Sequence, residues 1–186
     1  MKHLFYIGTN KYSLSTENDI MKMFSSEFNV NCRVLKGSKD ILRDLQNGYR
    51  EIFKDNADEY YCKVNESKKI SLATGILIKI LDKNYKKFND KQIIKLFINQ
   101  LEILKEIVPE YFIANAALYF YENNLTLRVV GIPHTENKIA KSKVFTREKI
   151  EELRLKLYFK AKADYLTYFF KKIDINNFNF ERKRKI

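Results

Sequence analysis

Two histidines, His3 and His134, are all that the 186 residues contain. Neutral imidazole is the commonest side-chain ligand for transition metals, so a centre built from three histidines cannot be assembled from this chain. A carboxylate-only Mg²⁺ site needs Asp and Glu gathered at one place. Glu122 stands near a turn, but no paired acidic cluster accompanies it at a strand end. Cys32 and Cys62 lie thirty residues apart, outside any Cys-x-x-Cys or Cys/His spacing. They imply neither a disulfide framework nor structural zinc, and the expectation is two buried thiols. There is no Gly-x-Ser-x-Gly elbow, no phosphate-cradling Gly-x-x-x-x-Gly-Lys and no dinucleotide fingerprint. Serine hydrolase, nucleotidase and dehydrogenase chemistry therefore lack their signatures. The residues assign no catalytic set, no metal and no cofactor.

Charge carries more information. The net charge is +12, from 35 Lys and Arg against 23 Asp and Glu. From His134 to Ile186 there are 15 Lys/Arg and 7 Asp/Glu, a local balance of +8. Such a surface suits a polyanion, because each phosphate neutralised releases condensed counterions. The abundance of Lys, Asn and Ile throughout also fits an AT-biased coding sequence, which raises lysine content without any binding role. No apolar run approaches the roughly 20 residues of a membrane span, and Met1 to Gly8 lacks the layout of a secretory signal, so a cytoplasmic location is expected.

The elements that must position these residues follow from periodicity. Lys2 to Gly8 and Asn31 to Leu35 are predicted strands, separated by a helix from Ser15 or Thr16 to about Phe28. Ser38 is expected to open a helix with Ile41, Leu42, Leu45, Tyr49 and Ile52 on one face. Glu59 to Val64 and Ile70 to Leu81 are read as strands joined by the polar turn Asn65 to Lys69, with a bulge at Gly75. Asn89 caps a long helix ending before Pro109, with Ile93, Ile94, Phe97, Leu101, Leu104 and Ile107 on one side. Ile113 to Glu122 and Leu125 to Pro133 form an antiparallel hairpin about Asn123-Asn124. After a basic connection, Thr146 caps a helix whose Ile150, Leu153, Leu157, Ala161 and Tyr165 form a stripe for packing or self-association. One domain is expected over 1–173, followed by a basic tail over 174–186 that includes Phe178 and Phe180.

The stretch Leu118 to Pro133 with Lys141-Ser142-Lys143-Val144-Phe145-Thr146 resembles the mobilisation/recombination (Mob/Pre) relaxases of plasmids. Ser71-Leu72-Ala73-Thr74-Gly75 and the helix from Asn89 to Ile107 extend the similarity over Ile70 to about Tyr158. The resemblance implies an α+β fold, a relaxase-like antiparallel sheet packed against helices with a long C-terminal helix. In that family three histidines on two adjacent strands hold a divalent metal that polarises the scissile phosphate for nucleophilic attack. Those ligand positions fall here on Tyr119, Thr126 and Arg128, none of which is a usable substitute. Of the family's acidic pair only Glu122 survives, beside Tyr121. Tyr6 and Tyr12 lie where relaxases keep their nucleophile, but twelve tyrosines weaken any single choice. His3 is expected to be packed in its strand and His134 to be an exposed loop residue.

These readings combine into an expectation of a relaxase-like protein of a mobile element that is not an enzyme and binds nucleic acid, DNA or RNA, or a nucleoprotein complex. Arg128, Lys138, Lys141, Lys143 and Arg147 are the candidate phosphate contacts, and Tyr119 and Tyr121 the candidate base-stacking residues. For the two tyrosines, simple packing is favoured over stacking, with Arg128 paired to Glu122. Two further possibilities differ in class. One is a plasmid- or phage-encoded inhibitor of a host defence nucleoprotein such as a CRISPR effector; the other is a structural homodimer through the Ile150 to Tyr165 helix.

Overall fold

A computed structural model describes residues 6–25, 31–67, 70–81, 89–121, 124–136 and 138–169. In chain order the elements are β1 (Tyr6–Leu14), α1 (Glu17–Ser25), β2 (Cys32–Lys36), α2 (Ile41–Phe53), a 3₁₀ turn (Lys54–Asn56) and α3 (Ala57–Glu66). There follow β3 (Ala73–Leu81), α4 (Asp90–Ile107), β4 (Tyr111–Phe120), β5 (Asn124–Thr135), β6 (Lys138–Ile139), α5 (Lys141–Val144) and α6 (Arg147–Phe169). All pairings are antiparallel, in the order β1-β3-β5-β4-β2, with β6 added to β5. This is the α+β, antiparallel-sheet architecture with a long C-terminal helix that the sequence implied.

Both faces of the sheet are covered. Ile76, Ile78, Ile80, Leu118, Leu127 and Val129 pack against Phe97, Leu101 and Leu104 of α4 and Leu153, Leu157 and Ala161 of α6. On the other face Ala117, Tyr119, Val130 and Ile132 meet Ile20 and Phe24 of α1, Leu45 and Tyr49 of α2, and Tyr61 and Val64 of α3. A strand buried on both faces loses the alternation of polar and apolar residues, which is why Tyr111 to Leu118 is almost continuously apolar.

The caps of α1, α4 and α6 agree with their sequence signals. Asn89 and Gln92 form a capping box on α4. The Thr146 hydroxyl accepts from the Lys149 amide at 3.3 Å, opening α6. Asp19 accepts from the amides of Ser15 and Thr16, both at 3.0 Å, and fixes the start of α1. For α2 the cap is Asp40, accepting from Arg43 N–H at 3.0 Å, two residues beyond the expected Ser38.

Several expectations are corrected. Glu59 to Val64 is helical within α3: Ala57, Tyr61 and Val64 are buried at i, i+4 and i+7, a spacing the local run of aromatic and β-branched residues disguises. The first strand runs on through Thr9-Asn10-Lys11 to Leu14, because β1 is a sheet edge and tolerates polar residues. Gly75 lies in unbroken register with both neighbours. A Cβ there would sit 2.6 Å from the Met23 sulfur, so the glycine admits α1 onto the sheet. The irregular registers are at Val34/Lys36 and Ile113/Asn115. Cys62 is exposed and Cys32 half-buried, both as free thiols. The α6 stripe, expected for packing or self-association, packs within this chain: Leu153, Leu157 and Ala161 lie in the core shared with α4, Ile150 rests half-buried against it, and Tyr165 is buried. His3, Glu122, Asn123 and the tail from Asp174 lie outside the described residues.

Candidate nucleic-acid interface

The strand pairing Tyr119↔Thr126 and Ala117↔Arg128 puts the three positions to which the resemblance assigned metal ligands on the face covered by α1, as alternation along two paired strands requires. Thr126 is buried and its hydroxyl donates to Asn124 Oδ1 at 2.9 Å. Tyr119 is fully buried and its ring lies 6.4 Å from that of Tyr121 at 22°. The Arg128 guanidinium stacks on Tyr119 at 4.6 Å. It donates through Nη2 to the Tyr121 hydroxyl at 2.8 Å and through Nη1 to the Met23 carbonyl.

Met23 lies in the last turn of α1, where backbone carbonyls lack helical partners and the helix dipole is negative. Arg128 therefore works as a cationic cap that pins the end of α1 to the sheet. These three positions do not fit a divalent metal: the guanidinium is permanently charged and occupies the space between the strands and the helix. Among the described residues no group of three His, Cys, Asp or Glu side chains is placed to hold a metal ion. The buried Tyr119 ring packs rather than offering a face to a base, and Tyr121 is half-buried with its hydroxyl engaged.

The lysines lie elsewhere. From Thr126 to Pro133 the strand runs about 23 Å, at roughly 3.3 Å per residue. Beyond Pro133, β6 and α5 fold back, and the Ala140 amide donates to the Pro133 carbonyl at 2.9 Å. Lys138 and Lys143 are exposed there. Lys141 donates through Nζ to the Ser13 hydroxyl on β1. Arg128 faces α1, whereas Ser13, one residue from the α1-facing Leu14, turns to the α6 side, so no single groove joins Arg128 to Lys141.

Lys11 was not singled out by its sequence context. Its ammonium lies 5.0 Å from the centroid of Phe145, which follows α5, and partial burial and then the charge of Lys141 lower its pKa. By contrast, Arg147 is paired with Glu151 at 3.2 Å, Lys149 with Glu110 at 2.9 Å, Lys156 with Glu106 at 3.0 Å and Lys160 with Asp164 at 2.9 Å. His134 is a half-buried strand residue, not the exposed loop residue expected. Its Nδ1 is buried without a hydrogen-bond partner among the described residues, and burial lowers its pKa against the opposing pull of Glu110. Tyr12 is 42% exposed on β1.

No protein-family model matches the chain, and no curated protein matches it. Solved structures do. A MobM relaxase domain (MOBV; Mob_Pre) bound to 22-nucleotide plasmid pMV158 oriT DNA, with manganese, superposes with a TM-score of 0.65 at 15% identity, covering 85% of this chain and 86% of that one. The same kind of domain bound to 26-nucleotide oriT DNA gives 0.61 at 15% identity, covering 97% of both chains. The chain has a relaxase-like fold. This likeness overturns the expectation of a protein that is not an enzyme: relaxases are DNA-nicking enzymes, and nothing in the described structure shows inactivity. The misfit of Arg128 concerns one inferred metal position and does not decide activity. No described helix is long and apolar enough to cross a membrane.

Proposed function

We propose that this chain is a DNA-binding protein on a relaxase-like frame, contacting phosphates through Lys138, Lys141 and Lys143. The observation that carries the reading is the fold, shared with MobM domains that were solved bound to oriT DNA. A net charge of +12 supports it, as does the absence of any carboxylate partner for these three lysines among the described residues. Arg147, held by Glu151, is a weaker candidate than its charge suggests. No observation favours a defence nucleoprotein as the partner, nor a homodimer.

The test is the triple substitution Lys138→Glu, Lys141→Glu, Lys143→Glu, titrated against labelled DNA at several salt concentrations. Loss of three phosphate contacts should weaken binding at least about tenfold and flatten the log K against log[salt] slope by roughly 2 to 3. An unchanged slope would sink the assignment.

A further inference from the structure

The lysines assigned to DNA stand on a slight support. β6 is two residues long, and its ladder with β5 consists of His134↔Ile139 and Thr135↔Lys138. In an antiparallel ladder, facing residues alternate between pairs that bond to each other and pairs whose amides point outward. His134 and Ile139 are of the second kind, for the His134 amide donates to the Glu110 carbonyl at 2.9 Å. The half-buried Ile139 needs an acceptor for its own N–H outside the ladder. It finds the Tyr60 hydroxyl at 3.2 Å, 79 residues back along the chain on α3.

Tyr60 is itself held. Its ring lies 4.7 Å from that of Phe53 and 6.3 Å from that of Tyr49, whose hydroxyl donates to the Leu72 carbonyl at 2.7 Å. The next residue, Tyr61, reaches another way and donates to Glu17 on α1 at 2.6 Å. Adjacent helical residues point about 100° apart, so one turn of α3 braces α1 with one tyrosine and β6 with the other. Ile139 also packs on the core that α2 and α3 share, while Lys138 beside it stays exposed.

We infer that Tyr60 is a positioning residue for DNA binding: by accepting from the Ile139 amide it fixes the arm from Lys138 to Lys143 against the sheet. An arm already in place presents its lysines at a set spacing, so bound phosphates do not have to order it. Without the hydroxyl, one of the arm's ties to the rest of the fold is lost. The inference rests on the DNA-binding reading and adds a residue that acts through the arm rather than on the phosphates.

The experiment compares Tyr60→Phe with Tyr61→Phe in the full chain, and places Tyr60→Phe also in the Lys138→Glu, Lys141→Glu, Lys143→Glu background. Both changes keep the ring and remove one hydroxyl from the same turn of α3. In Tyr60→Phe the Ile139 amide should exchange with solvent about fivefold faster or more. Affinity for a labelled duplex of about 20 base pairs should fall about three- to fivefold. Tyr61→Phe should stay within about 1.5-fold of wild type, and in the triple background Tyr60→Phe should add no further loss, since coupled sites are not additive. Ile139 exchange as in wild type, or unchanged affinity in Tyr60→Phe, overturns the inference while the lysine assignment stands on its own test. Equal losses from both tyrosines, or the same loss in the triple background, mark a general weakening of α3 and overturn it as well. If wild type binds no DNA, the DNA-binding reading fails and this inference falls with it.

Discussion

Arg128 and Lys11 are both cations set over an aromatic ring, 4.6 Å from the centroid of Tyr119 and 5.0 Å from that of Phe145. Their surroundings differ in kind. The Arg128 donors reach a helix-terminal carbonyl and a tyrosine hydroxyl, so its charge is consumed in holding α1 on the sheet. Lys11 rests on the Phe145 ring with no carboxylate partner among the described residues, so its charge is left to act on something outside the protein. A count of basic residues treats the two alike. What separates them is the supply of acceptor oxygens within reach, and that is set by the fold.

The largest effect that would break this comparison is at Arg128. Arg128→Ala removes two charge-assisted hydrogen bonds and the stack on Tyr119 from a half-buried site. It should lower stability by about 2–4 kcal/mol, or roughly 5–15 °C in Tm. Thermal denaturation checks this, and the folded fraction should keep its DNA affinity. Arg128→Lys should recover only part of the loss, because lysine lacks the fork that reaches both oxygens. A variant of unchanged Tm that no longer binds DNA would reverse the roles assigned to the two regions.

Most of the fold was legible because its signals are local. The capping box at Asn89, the stripe from Ile93 to Ile107 and the hairpin between Tyr111 and Thr135 each declare themselves within a short window. The errors arose where tertiary context decides. Thr9-Asn10-Lys11 is strand only because β3 lies beside it, and Gly75 is there for Met23, which arrives on another element. The candidate site was legible in part: Tyr119, Thr126 and Arg128 do share a face, but the Met23 carbonyl that fixes Arg128 carries no sequence signature. Lys11 escaped notice because its partners, Lys141 and Phe145, lie far along the chain.

A smaller change sharpens the comparison by converting one kind of cation into the other. Glu110 holds Lys149 at 2.9 Å, and that hydrogen bond is the main reason its carboxyl pKa lies below the ordinary value. Glu110→Gln should release Lys149 and raise DNA affinity about twofold, with a salt slope steeper by somewhat less than 1. A carboxylate with a lowered folded pKa contributes stability above its unfolded value, about 4.3, and loses it as pH falls through the folded one. The variant should therefore lose stability at neutral pH and show a shallower decline below about pH 4.5. Unchanged affinity would mean that Lys149 is not near bound DNA.

The smallest expected effect is at His134, where burial lowers the imidazole pKa and Glu110 only partly restores it. The folded state then favours the neutral ring. Its contribution is complete above the unfolded pKa of about 6.5, declines as pH falls below that, and levels off once the folded ring protonates. The same protonation adds a positive charge on β5 just before Lys138 and Lys141. Between about pH 7.5 and 5.5 stability should fall, on the order of one degree in Tm, while DNA affinity rises. His134→Gln should flatten both trends together. If it flattens the stability trend alone, His134 is a packing residue outside the DNA contact, and the free-cation region ends at the lysines.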